Sequence, residues 1–175
     1  MDARTTGTIL DRIVADRRVR LAEDRVRRPE DTLRSLIEKA PPAIDFAARL
    51  RHGRRATPAG ARLRLIGEVK RASPSKGVFD ANLDAAAQAR AYADAGVAVI
   101  SVLTEPDHFK RSLADLEVVR AAFGDDPDRP ALLRKDFIFD PYQVVEARAA
   151  GADALLLIVM MLEPQALVSL LALTR

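Results

Sequence analysis

Three ionisable side chains stand where strand-like runs come to an end. In LIGEVKRASPSKG, Glu68 and Lys70 are two residues apart, so alternation projects both from one face. Ile66 shares that face, while Leu65, Gly67 and Val69 point to the other. An acid–base pair aimed into an interior is costly unless its members neutralise each other or are used in chemistry. The pattern leaves both readings open, a structural ion pair or a catalytic one. In LLRKDF, parity places Leu133, Lys135 and Phe137 on one face and Leu132, Arg134 and Asp136 on the other. If the first face turns inward, Lys135 is desolvated beside Phe137. Desolvation lowers a lysine pKa and suits it to give up a proton near neutrality. The alternative is a lysine that snorkels from the strand end.

Two loops add candidates. The SPSKG turn, with Ser73 and Pro74, has small residues whose N–H groups could approach a ligand, but it lacks P-loop spacing. In TEPDHFKRSL, Phe109 and Lys110 precede a helix cap at Ser112. An aromatic ring there could cover an aromatic ligand or pack beneath the loop, and His108 is read as a plain loop residue. Lysine usage points the same way. Of 28 basic residues, only Lys39, Lys70, Lys76, Lys110 and Lys135 are lysines, in a chain that otherwise relies on arginine. Unlike arginine, lysine has a pKa that its surroundings can move into a useful range.

The elements that must position these groups alternate regularly. Strands are expected over 63–71, 98–104, 131–137 and 154–160, and helices over 83–95, 112–123 and 141–150, with a fourth starting near Pro164. The AGV at 95–97 and AGA at 150–152 put glycine where a left-handed helix cap belongs. Runs such as LLLIV indicate a parallel sheet covered on both faces. A doubly wound sheet and a (β/α)₈ barrel both fit, but no G-x-G-x-x-G follows the first strand, which disfavours a dinucleotide fold. Charged side chains at several strand ends favour the barrel. Ahead of these units, helices are expected over 8–27, 32–39 and 43–51, and a Gly-, Pro- and Arg-bearing linker over 52–60. The chain thus divides into an N-terminal helical extension, 1–60, and four βα units, 61–175.

Composition narrows the classes. Without cysteine there is neither a disulfide nor thiolate chemistry, and His52 and His108 lack metal-ligand spacing, so no metal or cofactor is expected. No apolar run reaches the length of a membrane span, and MDARTTG lacks the apolar core of a signal peptide, which points to the cytoplasm and no membrane partner. The net charge is only +3, and the first helix interleaves acids with bases. That pattern reads as a solvated face rather than a nucleic-acid stripe.

Four stretches resemble the indole-3-glycerol phosphate synthase family: ILDRIVADRR (9–18), GEVKRASPSKGVF (67–79), SVLTEPDHFKRSLADL (101–116) and LLRKDFIFDPYQVVEARAAGADALLLIV (132–159). The resemblance implies a (β/α)₈-barrel lyase of tryptophan biosynthesis. Its substrate would be the small phosphorylated molecule 1-(2-carboxyphenylamino)-1-deoxyribulose 5-phosphate, on which it closes the indole ring with loss of carbon dioxide and water. It also implies roles. Lys135 would be the general acid that protonates the substrate carbonyl. Lys70 would hold the substrate carboxylate, with Glu68 as its polar partner. Ser73 and Pro74 would line the substrate turn, and Phe109, Phe137 and Leu156 the anthranilate ring.

Two features depart from the family pattern. Arg111 stands where the family usually has glycine in the loop of Phe109 and Lys110. The residues also match only the first two-thirds of a barrel that needs about 250 residues, ending inside helix four at SLLALTR. On that reading the family's strand-five glutamate base, its strand-six asparagine and the phosphate site lie outside these residues. Negligible activity is then expected of the 175-residue chain alone, with self-association through open edges at strands one and four. Two rivals remain. Phosphoribosylanthranilate isomerase is disfavoured because its chemistry wants a cysteine. The other is a non-catalytic assembly module built on the basic N-terminal helices, for which steeply salt-dependent nucleic-acid binding would speak.

Overall fold

The structure is a computed structural model that describes residues 4–54, 63–70, 72–73, 77–78, 83–109 and 112–174. Three helices come first: α1 (Ile9–Arg27), α2 (Glu30–Lys39) and α3 (Phe46–His52). Then follow β1 (Ile66–Val69), a small antiparallel pair β2 (Ala72–Ser73) and β3 (Gly77–Val78), and α4 (Ala85–Asp94). The rest is β4 (Val99–Leu103), a helical turn α5 (Pro106–Phe109), α6 (Leu113–Ala121), β5 (Ala131–Lys135), α7 (Pro141–Ala149), β6 (Ala154–Leu155) and α8 (Pro164–Leu173).

The main sheet is parallel throughout, in the order β1-β4-β5-β6. Each strand neighbours the next one delivered by a helix, as consecutive βα units require. Val69, Ile100, Val102 and Leu132 are fully buried against Ala85 and Ala89 of α4, Leu116 and Val119 of α6, and Ala147 of α7. That is the helix-covered face. The other face carries Glu68, Ser101, Leu133 and Lys135, in the parity expected of the strands. Among the described residues this second face is only partly covered. Ile66 is half exposed, and Leu133, Glu68 and Lys135 are only partly buried.

The N-terminal helices share the core of the later units. Ile13, Val14 and Leu21 of α1 and Leu33 of α2 pack with Ile138, Phe139, Tyr142, Met161 and Leu170. Ile44, Phe46 and Leu50, in and around α3, close over Ala98, Val99 and Ala131, where β4 and β5 begin. The Tyr142 hydroxyl donates to the carbonyls of Asp24 and Arg28 and so staples the end of α1 to α7. Among the described residues, no helix is long and apolar enough to cross a membrane.

The fourth strand is the main correction. A strand over 154–160 is expected, but pairing stops at Leu155, with one further bond from the Leu156 N–H to the Arg134 carbonyl. The chain then turns through a 3₁₀ segment at Val159–Met161. The partner strand β5 ends at Lys135, and no other described strand flanks β6, so nothing remains for a longer ladder to bond. Strand β1 is likewise shorter than 63–71, with Leu63 exposed.

Two glycines answer to specific demands. Gly151 closes α7 at φ +92°, as the AGA motif predicts, and a side chain there would run into Arg120. Gly67 lies under the ring of Tyr92, where an added Cβ would fall 2.7 Å from Cδ2. Moving that ring would break its hydrogen bond to the Glu68 carbonyl. Gly67→Ala is therefore expected to cost about 1–3 kcal/mol through overpacking, read as a lower urea midpoint at unchanged slope.

Candidate active site

The two lysines singled out by pattern converge on one carboxylate. Lys70 Nζ lies 2.9 Å from Glu68 Oε1, and Lys135 Nζ lies 2.5 Å from Glu68 Oε2. Strand β4 separates β1 from β5, and in the register Glu68 stands opposite Ser101, which stands opposite Leu133. The small Ser101 leaves room for Glu68 and Lys135 to meet above the middle strand. Its buried hydroxyl has no protein partner among the described residues. Burial works to raise the Glu68 pKa, but the hydrogen bonds from Lys135 and Lys70 outweigh it and hold the carboxyl below its usual range.

A depressed carboxyl stabilises the fold above its unfolded pKa, and that contribution is lost as pH falls through the folded value. The stability difference between wild type and Glu68→Gln should accordingly be constant above about pH 5 and shrink as pH drops below the ordinary value of 4.5. Paired urea titrations across pH 3–7, an estimated span around that carboxyl range, would show it. A pH-independent difference would refute the shared ion pair.

Lys135 itself departs from expectation. It is not desolvated: its side chain is 41% exposed and is neutralised by Glu68. It does border an apolar cleft of about 60 Å³, formed with Leu103, Glu105, Asp136, Phe137, Leu156 and Ile158. Phe137 is buried and Leu156 lies at the rim. Ser73 pairs with Gly77 where β2 meets β3, and residues 74–76 of the SPSKG segment, Pro74 among them, lie outside the described residues. The α5 turn, which ends at Phe109, packs beside β2 and brings the main chains of Phe109 and Ser73 to the same end of the sheet. Lys110 and Arg111 lie outside the described residues.

Behind Lys135 lies a buried ionic network that the pattern reading missed. Asp136 Oδ2 accepts from Thr104 Oγ1 at 2.8 Å and Arg134 Nη2 at 2.9 Å, while Oδ1 accepts from the Phe137 N–H and faces Arg17 Nε at 3.7 Å. Arg134 also reaches Glu146 at 2.9 Å and the Gln143 carbonyl. Arg17 bonds Asp24 at 3.0 Å. Burial pushes the Asp136 carboxyl up, and Arg134 and Arg17 more than reverse it, holding it below the usual range. The signal was there to read. Parity puts Arg134 and Asp136 on the helix-covered face, where two charges must find partners. The Gln143 amide completes the support by donating to the Phe137 carbonyl and accepting from the N–H groups of Phe139 and Asp140.

The charged face of α1 is largely solvated, as its pattern suggested, but it also finds specific partners. Arg17 is buried, Arg20 bonds Asp107, Arg25 bonds Asp140 and Arg28 pairs with Glu117.

Comparison with known proteins gives a consistent result. A family model described as indole-3-glycerol phosphate synthase matches residues 10–175. The chain is 52% identical over 170 residues to the indole-3-glycerol phosphate synthase of Roseiflexus sp. (strain RS-1), an alignment covering 96% of this chain and 60% of that protein. It is 50% identical over 168 residues to the protein of the same description from Roseiflexus castenholzii, covering 95% and 60%. It is also 48% identical over 172 residues to a multifunctional tryptophan biosynthesis protein of Schizosaccharomyces pombe, covering 95% of this chain and 22% of that one. The chain thus spans about 60% of the length of the first two relatives.

Proposed function

The chain belongs to the indole-3-glycerol phosphate synthase family, and from that premise we propose that it supplies the acid side of a ring-closing active site. The substrate is 1-(2-carboxyphenylamino)-1-deoxyribulose 5-phosphate. Its ring carbon bearing the carboxylate attacks the ketone carbon, the carboxylate leaves as carbon dioxide, and the resulting alcohol is lost as water. Indole-3-glycerol phosphate remains.

The observation that carries this reading is the Lys70–Glu68–Lys135 cluster beside an apolar cleft. Lys135 is the proton donor to the ketone oxygen, where negative charge grows as the new bond forms. Lys70 holds the aryl carboxylate as a fixed cation. Glu68 spaces the two lysines and limits their mutual repulsion. Phe137 and Leu156 flank the anthranilate ring, and the family pattern adds Phe109, Ser73 and Pro74 to its lining. None of these steps calls on a metal or an organic cofactor.

The test has two arms. Protein carrying these residues is mixed with the substrate, and indole product and carbon dioxide are followed together. Binding of the carbonyl-reduced substrate, which cannot cyclise, is measured on the chain itself. Saturable binding that Lys70→Ala and Lys135→Ala weaken supports the reading. Binding indifferent to both refutes it.

A further inference from the structure

We infer that Glu105, Asp107 and His108 form a two-sided clasp through which helix α1 holds the α5 turn at the edge of the cleft. The inference rests on the reading above in taking the cleft that Glu105 lines as the aryl site. The outer side of the clasp consists of an ion pair and a hydrogen bond between elements far apart in sequence. Arg20 grips Asp107 with two nitrogens, Nη2 to Oδ1 at 2.8 Å and Nε to Oδ2 at 3.3 Å, and Asp16 Oδ2 meets His108 Nε2 at 3.1 Å. Asp16 and Arg20 are one helical turn apart, so both face the same neighbour.

The inner side is Glu105. Its side chain is buried, and its two oxygens accept from the N–H groups of Asp107 at 3.1 Å and His108 at 2.7 Å. Glu105 also lines the cleft with Lys135, Phe137 and Leu156. A four-residue helical turn has no stability of its own. Its orientation is set by what holds its two ends, here a buried carboxylate on the cleft side and α1 on the other. The residue that closes the turn is Phe109. Asp16, Arg20, Asp107 and His108 are thus positioning residues, acting through the α5 turn and not on the substrate.

The test compares wild type with Asp16→Asn, Arg20→Gln and the double variant. Arg28→Gln, which breaks the α1 contact to Glu117, serves as control. Partly exposed pairs contribute little singly. The double variant is expected to exchange the amide hydrogens of residues 105–109 about three- to tenfold faster, with β4, β5 and the control unchanged. Affinity for the carbonyl-reduced substrate should fall by a similar factor, about three- to tenfold. The charge swap Arg20→Asp with Asp107→Arg should restore both readouts. Unchanged exchange at 105–109, an equal rise across β4 and β5, or faster exchange without loss of affinity would each overturn the clasp as a positioning device. Failure of the underlying reading looks different: Lys135→Ala would then leave analogue affinity untouched, whatever the exchange shows.

Discussion

In an active enzyme that carries these residues, Lys135→Ala is expected to lower the rate of ring closure by about 10²- to 10⁴-fold, the range spanned by a lost general acid, while leaving the fold intact. The proposed chemistry sets the size of the loss. As the ring carbon attacks the ketone, its oxygen gains a full negative charge unless a proton arrives, and no other described cation borders the apolar cleft. The structure sets the mildness of the folding effect. The Lys135 side chain is 41% exposed, and Glu68 keeps Lys70 as a partner at 2.9 Å. Lys70→Ala should behave differently, raising KM more than it lowers kcat, because it removes a hold on ground and transition state alike. Single-turnover kinetics with excess enzyme separates the two. A loss under tenfold for Lys135→Ala, in a variant with an unaltered urea midpoint, would remove Lys135 from the proton-donor role.

The largest structural effect is expected at the residue next door. Asp136→Ala should destabilise the chain by about 3–5 kcal/mol, the cost of breaking a buried ion pair from one side. That is a large share of the roughly 5–15 kcal/mol that holds a domain together. The carboxylate is fully buried and serves Thr104, Arg134, Arg17 and the Phe137 N–H at once. Its removal strands the Arg134 guanidinium in the interior with only Glu146 to offset it. Equilibrium urea unfolding checks this, and a cost under about 1 kcal/mol would mean that water or a rearrangement satisfies Arg134. Catalysis should suffer too, since Asp136 anchors the strand end from which Lys135 and Phe137 project.

Much of the site was legible because strand parity is rigid. Alternation alone separates Glu68, Lys70 and Lys135 from Val69, Leu132 and Arg134, and the structure keeps that division. What alternation cannot carry is distance between strands. That one glutamate serves both lysines depends on β4 lying between β1 and β5 with a serine at the crossing point. Lys135 shows the limit of reading burial from neighbours. Leu133 and Phe137 flank it in sequence, yet the face they share is only partly covered, so the expected desolvation is not found. The apolar run from Ala154 looked like a full strand because hydrophobicity was counted without asking what its amides would bond. Charge patterning left out the partners of α1 for a related reason. Alternating signs look alike whether they meet water or the acids of another helix.

The pairing of α1 with distant partners also bears on the order of folding. Arg25 and Asp140 are 115 residues apart, and the Tyr142 hydroxyl reaches back 118 residues to Asp24. A chain growing from its N-terminus completes α1 long before its partners exist. Contacts of such separation form late, after the loop entropy between them has been overcome. The dense charge of α1 suits that wait: salted with arginine and acid, the helix can remain in water without recruiting unrelated chains, and it docks once α7 presents Asp140 and Tyr142. Conservative substitutions in the α1 interface should therefore speed unfolding and leave the folding rate nearly untouched.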